Sequence, residues 1–308
     1  MMLKDARDYQ ILFLSAFLIL GIGTRDWTLR IDLMLVVLLS CVLTQLFFTV
    51  LLPSLNHQRA RYYPNSPNSP LPPSPRHPVT PSTPRDKYLA FSYKLLSPLR
   101  SSLITGLGLC LLLRANNWQT MAIAGCLAIA SKFLFRHKNK HFFNPANFGI
   151  IAALLLTQDA WVSPGQWGTD WWYLLLFAGT GGMVLQKVGR WDTSAAFFGA
   201  YAGLEALRSL WLGQGWDVYF HHFTSGSLLL FALFMLTDPR SIPNARASRL
   251  IWAFGIAWLT FILQHQFYLS TAIFWALFVL SPLTIVLDSI WSAPRFTWQG
   301  KSLKTIAS

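Results

Sequence analysis

Two polar breaks in apolar sequence carry the residue types best suited to chemistry in this chain. The first is "NPAN" at residues 144–147, and the second is "TDP" at residues 237–239. Proline lacks the N–H that a continuing helix would use, and the residue before it avoids helical geometry. Helix-end carbonyls at membrane depth need donors, and a helix N-terminus can hold an anion. The breaks predict one shared binding site; helix capping at the membrane surface is the alternative.

A third polar group lies between the breaks, in "GTGGMVLQKVGRWDTSAAFFG". Asp192 stands directly before an apolar span and is predicted to cap its N-terminus. The glycines at 179–182 are expected to form a turn that allows close approach of a neighbouring helix or a ligand, and Gly181 is the candidate contact.

Glu205 is the only glutamate in the chain, and it lies inside an apolar span. An ion pair with Arg208, three residues on, is the simpler interpretation. A carboxylate on an ion pathway is the alternative. Asp238 is the second candidate for such a pathway.

Composition indicates that the elements around these residues are membrane helices. The chain is 53% hydrophobic and only 12% charged, against about 25% charged in soluble domains. We expect one all-α polytopic domain over residues 1–308, with ten spans. Their apolar blocks are Ile11–Gly23, Leu33–Leu55, Ser101–Leu113, Met121–Phe135, Phe148–Leu156, Trp172–Leu185, Ala195–Leu212, Ser225–Leu236, Leu250–Leu263 and Leu269–Leu287.

The placement of the basic residues predicts the topology. With ten spans, all but four of the 25 Lys and Arg residues fall on the side that holds both termini; the exceptions are Arg25, Arg30, Arg114 and Arg208. The positive-inside rule makes that side cytoplasmic, as in a bacterial-type inner membrane. The net charge of +13 is therefore explained by the lipid bilayer, and no nucleic-acid partner is expected.

Residues 56–98 are predicted to be a cytoplasmic insertion, disordered or in polyproline II. Prolines recur there at intervals of three, the period of a polyproline II helix. The arm is either a docking segment for a cytoplasmic partner or a solvated spacer. A weak internal repeat relates the segments from Arg100 to Pro145 and from Arg190 to Pro239. Both parallel and inverted symmetry fit this repeat.

The runs "KHFFNPANFG", "GRWDTSAAFFGAYAGL" and "SGSLLLFALFMLTDPRSIP" resemble the membrane subunits RnfD and NqrB. The resemblance covers roughly residues 95–290. It implies ten transmembrane helices in a fold akin to urea channels, and flavin-linked electron transport coupled to cation movement. Together with Asn147 and Gly181, the matching motifs imply a cofactor site of Asn144, Pro145, Asp192, Thr193, Ser194, Thr237, Asp238 and Pro239.

The resemblance has one departure. The family attaches FMN to the threonine of a Ser-Gly-Ala-Thr run, whereas the corresponding loop here is "TQDAWVSPGQWGTDWW". We therefore expect no covalent FMN, and a flavin (FMN or riboflavin) held non-covalently in a stand-alone relative. The chain has no metal-ligand spacing and no nucleophile with its base, so an electron-transport subunit working with other subunits is favoured over a self-contained enzyme. A small-solute channel or transporter, and an assembly scaffold, are the alternatives.

The topology can be tested with single cysteines introduced at Ser74 and Gly165. An impermeant thiol reagent added from outside should label position 165 but not position 74, because the basic loops face the cytoplasm. Labelling at position 74 from outside would contradict the assignment.

Overall fold

The computed structural model describes residues 5–25, 30–51, 84–162, 171–223 and 225–296, and nearly all of its elements are helices. The long helices are α1 Ala6–Arg25, α2 Ile31–Leu46, α3 Pro84–Leu112, α4 Trp118–Leu134, α5 Pro145–Leu156, α6 Trp171–Val188, α7 Trp191–Trp211 and α10 Arg246–His265. The short helices are α8 Trp216–His221, α9 Gly226–Leu230, α11 Ala272–Leu280 and α12 Leu283–Ile290. Two π-helical segments, Phe47–Leu51 and Phe231–Met235, extend α2 and α9.

Each of the predicted apolar blocks overlaps a helix. Among the described residues, three helices are long and apolar enough to cross a membrane: α1, α2 with its extension, and α10. The bent pair α11 and α12, at 48° to each other, makes up to four. Shorter apolar helices account for Pro98–Leu112, α4, α5 and Gly226–Met235. The helical membrane fold is therefore confirmed.

Helix packing forms one continuous apolar core. On one side α4 packs against α2 and α5, and α1 packs against α3; on the other, α10 packs against α7 and α11. Two short antiparallel β-ribbons lie in the segments that connect the helices. Strands β1 (Leu113–Arg114) and β4 (Trp161–Val162) form one, and β2 (Arg136–His137) and β3 (Lys140–His141) form the other. Lys138 and Asn139 have φ of 47° and 64°, so the second ribbon turns through two left-handed residues.

Two expectations are corrected by the fold. Helix α3 begins at Pro84, so the last part of the predicted Pro-rich insertion is helical. Residues 56–83, like the labelling sites Ser74 and Gly165, lie outside the described residues. The glycines at 179–182 do not form a turn, because they lie inside α6.

The contact between α4 and α5 is close enough to require Gly149. A Cβ atom at this position would lie 2.7 Å from the Ala124 carbonyl oxygen and 2.8 Å from the Ala128 Cβ. Neither the backbone nor a helix-bound methyl group can move aside without separating the two helices.

Gly149→Ala should therefore lower the free energy of unfolding by about 1–3 kcal/mol through overpacking. Gly199→Ala in α7 is the matched control, since nothing lies within 4 Å of its added Cβ and alanine favours helix. Thermal unfolding in detergent at one fixed scan rate measures both. Equal apparent Tm values would contradict the close contact.

Candidate functional site

A side chain of the first predicted break is hydrogen-bonded to the helix end just before the second break. Asn144 has extended backbone geometry and caps α5, with its Oδ1 accepting from the Asn147 N–H at 3.1 Å and Pro145 in the first turn. The Asn144 Nδ2 donates to the carbonyl of Met235 at 2.9 Å. Met235 ends the π-helical segment that leads into the second break at Thr237. The Asn144 side chain of the first break therefore satisfies a helix-end carbonyl next to the second break.

The π-helical segment Phe231–Met235 has further side-chain partners. The Leu236 N–H bonds the Phe231 carbonyl at 2.8 Å, five residues back. Ser194 Oγ donates to the Ala232 carbonyl at 2.6 Å, and Thr237 Oγ donates to the Leu233 carbonyl at 2.8 Å. An added Cβ at Gly181 would lie 2.8 Å from the Leu233 side chain. These predicted ligand-binding residues therefore hold the segment in place.

A cavity of about 370 Å³ lies where the two breaks meet, and we call it the junction cavity. Five of the predicted residues line it: Asn144, Pro145, Thr237, Asp238 and Pro239. Apolar side chains form much of its wall, including Leu14, Ile104, Leu111, Phe133, Val184, Leu230 and Phe234. Its volume is in the range of small-molecule sites, roughly 300–1,000 Å³.

The junction cavity is electropositive. Lys132, Arg136 and Arg240 line it, with Asp238 as the one carboxylate among its described lining residues. Arg7 also lines it but is neutralised by Asp5, with Nη2 and Oδ2 2.6 Å apart. Lys132 is buried and donates to the carbonyl and hydroxyl of Ser101 at 3.2 and 3.1 Å. None of these cations was among the predicted site residues. The signal was nonetheless present, since a lysine within an apolar helix marks a functional position.

Asp238 and His141 form the polar contact at the cavity rim. The His141 Nε2 lies 3.5 Å from Asp238 Oδ2, while Asp238 Oδ1 accepts from the Arg240 N–H at 3.2 Å. Burial lowers the pKa of His141, although the carboxylate opposes this shift. Burial would raise the pKa of Asp238, but the contact with His141 and the backbone and charge of Arg240 hold it below its ordinary value.

The remaining predicted residues lie outside the cavity lining. Asp192 does not cap α7, because it lies in the first turn and its Oδ2 pairs with Arg249 at 2.5 Å; the predicted cap was wrong. Thr193 Oγ lies beside Asp192 Oδ1 at 3.4 Å. The Asn147 Nδ2 donates to the Phe274 carbonyl at 3.0 Å, so this amide joins α5 to α11.

Glu205 does not pair with Arg208. Arg208 donates to the side chain of Gln214 at 3.3 Å, and Glu205 Oε1 lies 2.6 Å from His265 Nε2. His265 belongs to the last turn of α10. The two ion-pathway candidates are thus separate, with Asp238 at the junction cavity and Glu205 between α7 and α10.

Part of the chain is similar to known proteins. Residues 157–296 match the family described as "NQR2, RnfD, RnfE family". The D subunit of the ion-translocating oxidoreductase complex of Stutzerimonas stutzeri is 29% identical over 117 residues, 38% of this chain and 33% of that protein. The corresponding D subunit of Pseudomonas aeruginosa is 31% identical over 104 residues, 32% of this chain and 29% of that protein. The chain therefore matches about a third of the length of these relatives. The resemblance to RnfD is confirmed, and the family match covers residues 157–296, so the expected part from 95 to 156, which contains the first break, lies outside that match.

The shifted pKa of His141 predicts acid lability. His141 favours its neutral form in the folded protein, so the unfolded chain takes up its proton first as the pH falls below the ordinary histidine pKa of 6.5. Stability should drop from that pH downward, and the loss of the Asp238 contribution follows only below its ordinary pKa of 3.8.

His141→Gln should flatten the fall in apparent Tm between about pH 7 and pH 5. His137→Gln, at an exposed position of the same ribbon, is the control and should follow the parent protein. An unchanged slope in His141→Gln would show that His141 does not govern the acid lability.

Proposed function

We propose that this chain, which matches the NQR2, RnfD, RnfE family over residues 157–296, is the RnfD-like membrane subunit of an ion-translocating oxidoreductase complex. Its relatives in Stutzerimonas stutzeri and Pseudomonas aeruginosa are named as the D subunit of such a complex. Within that role, we propose that the junction cavity binds a flavin, FMN or riboflavin, without a covalent bond.

The observation that carries this proposal is the construction of the junction cavity from both helix breaks. Each break supplies part of the lining, and the Asn144–Met235 hydrogen bond holds the two parts together. A flavin is a flat apolar ring system with polar atoms along one edge. The cavity offers apolar walls such as Phe133 and Phe234 beside a polar, cationic rim, and this donor set fits such a molecule.

The chain's own residues would tune the bound group. Lys132, Arg136 and Arg240 place positive charge around the cavity, and positive charge near a flavin ring favours the anionic reduced form. Asn144 has both amide atoms engaged in backbone hydrogen bonds, so it positions the wall and leaves direct recognition to the cations. A bound flavin would supply the electron-carrying chemistry, which none of these side chains provides.

The wider arrangement belongs to the same proposal. The chain would cross a bacterial-type inner membrane ten times with both termini cytoplasmic. In that arrangement the cytoplasmic side holds every Lys and Arg except Arg25, Arg30, Arg114 and Arg208. Other subunits would supply the electron donor and acceptor, and the Pro-rich arm within residues 56–98 would dock one of them.

Flavin binding is tested on the purified full-length protein. We expect a yellow protein whose colour passes into the supernatant on acid precipitation, because no covalent attachment run is present in the outward loop. Lys132→Gln keeps a hydrogen-bond donor but removes the charge, and it should lower the flavin-to-protein ratio severalfold. The ratio is measured by visible absorbance after incubation with FMN and, separately, with riboflavin.

Lys138→Gln is the matched control, because Lys138 lies exposed in the β2–β3 turn outside the junction cavity. Its flavin content should equal that of the parent. Colour that stays with the precipitated chain would refute non-covalent binding. A protein that stays colourless after incubation with both flavins would favour the small-solute channel or transporter.

A further inference from the structure

The end of α7 opposite Asp192 buries a carboxylate between two histidines. Glu205 is fully buried, thirteen residues after Asp192, or about 20 Å along the helix. Its Oε1 lies 2.6 Å from His265 Nε2, and its Oε2 lies 3.9 Å from His222 Nε2. The two imidazole rings meet edge to face, with centroids 6.0 Å apart. We call these three residues the Glu205 cluster.

One oxygen of this carboxylate lacks a hydrogen bond. Glu205 Oε2 is buried and has no hydrogen-bond partner among the described residues. A buried charge needs full hydrogen bonding to offset its loss of water, and an unsatisfied buried acceptor costs about 1–3 kcal/mol. A proton placed on this carboxyl removes the charge and therefore the cost of burying that charge. The surroundings are thus unusual for a permanent structural ion pair.

Basic side chains lie around the Glu205 cluster, and the cluster is partly exposed at the protein surface. Arg208 and His221 lie near His222. Tyr201, one turn before Glu205 on α7, lies beside the carboxylate, and its hydroxyl donates to Gln264 of α10 at 2.8 Å. The His222 side chain is 24% exposed, whereas that of His265 is 11% exposed. His222 therefore connects the buried carboxyl with the surface.

We propose that the Glu205 cluster is a proton-exchange site, open to the side of the membrane opposite the junction cavity. A protonated His222 gives the proton on Nε2 to Glu205 Oε2, so an N–H bond breaks, an O–H bond forms, and His222 becomes neutral. A carboxyl protonated on Oε1 gives that proton to the Nε2 of a neutral His265, so an O–H bond breaks and an N–H bond forms, and the resulting carboxylate can take the next proton on Oε2. Each step moves one proton, and the 3.9 Å gap is closed by a small ring movement or by one water.

The ligand chemistry favours a proton over a metal cation. Hard cations take sets of six or more oxygen ligands, whereas this carboxylate faces two imidazole rings. Among the described residues, no group of three or more His, Cys, Asp and Glu side chains is arranged to hold a metal ion. The proposal does not rest on flavin binding, and flavin-free protein can be used to test it.

Dicyclohexylcarbodiimide modifies protonated carboxyls in apolar surroundings, and peptide mass spectrometry locates the product. In the full chain in liposomes, we expect labelling of Glu205 to rise severalfold as the pH falls between about pH 8 and pH 5, without protection by sodium. His222→Gln should slow the labelling severalfold at low pH. Glu205→Gln, checked for unchanged apparent Tm, should lose the product.

A structural ion pair would give a different result, since its carboxylate stays charged and unreactive across this range. Absent or pH-independent labelling of Glu205 would overturn the proposal. Protection by sodium at constant pH would also overturn it, in favour of a cation site. Labelling in His222→Gln at the parent rate would refute the route through His222. None of these outcomes depends on whether the junction cavity binds flavin.

Discussion

The structure depends on how the carbonyl groups of the π-helical segment Phe231–Met235 are satisfied. Carbonyls at membrane depth have no water to bond, so protein donors must replace it. Three side chains donate hydrogen bonds to these carbonyls. Ser194 donates to the carbonyl of Ala232, Thr237 to that of Leu233, and Asn144 to that of Met235. These donors come from α7, the segment's own C-terminal end and the cap of α5. The hydrogen bonds therefore fix three elements around one wall of the junction cavity.

The pair α7 and α10 is connected at both ends by ionisable side chains. Asp192 meets Arg249 at one end, Glu205 meets His265 at the other, and Tyr201 bonds Gln264 beside the latter. These contacts join the N-terminal ends and the C-terminal parts of the two long helices, which therefore run parallel. The Ser194–Ala232 bond then joins α7 to the π-helical segment, so one continuous helix links the wall of the junction cavity to the Glu205 cluster.

The sequence predicted the helical membrane fold and the five residues of the two breaks that line one cavity, because Pro after Asn or Asp has a local and unambiguous effect on a helix. It did not predict the role of Asp192, whose partner Arg249 is distant in the chain and unrelated by any helical spacing. The partner of Glu205, His265, was not predicted because it is also distant in the chain, whereas Arg208 is only three residues away. The π-helical geometry has no sequence signal in "FALFM", because it arises from tertiary hydrogen bonds.

The charge distribution separates the two candidate ion sites. Asp238 faces His141 and Arg240, and Lys132 and Arg136 line the same cavity. A cation entering there would meet several positive charges and one carboxylate, whereas an anionic or electron-rich ligand would reduce their mutual repulsion. The Glu205 carboxylate has neutralisable imidazoles as its partners and one free oxygen. It can therefore gain and lose a proton without breaking a permanent ion pair. The electrostatics thus favour electron-carrier binding at the junction cavity and proton exchange at the opposite end of α7.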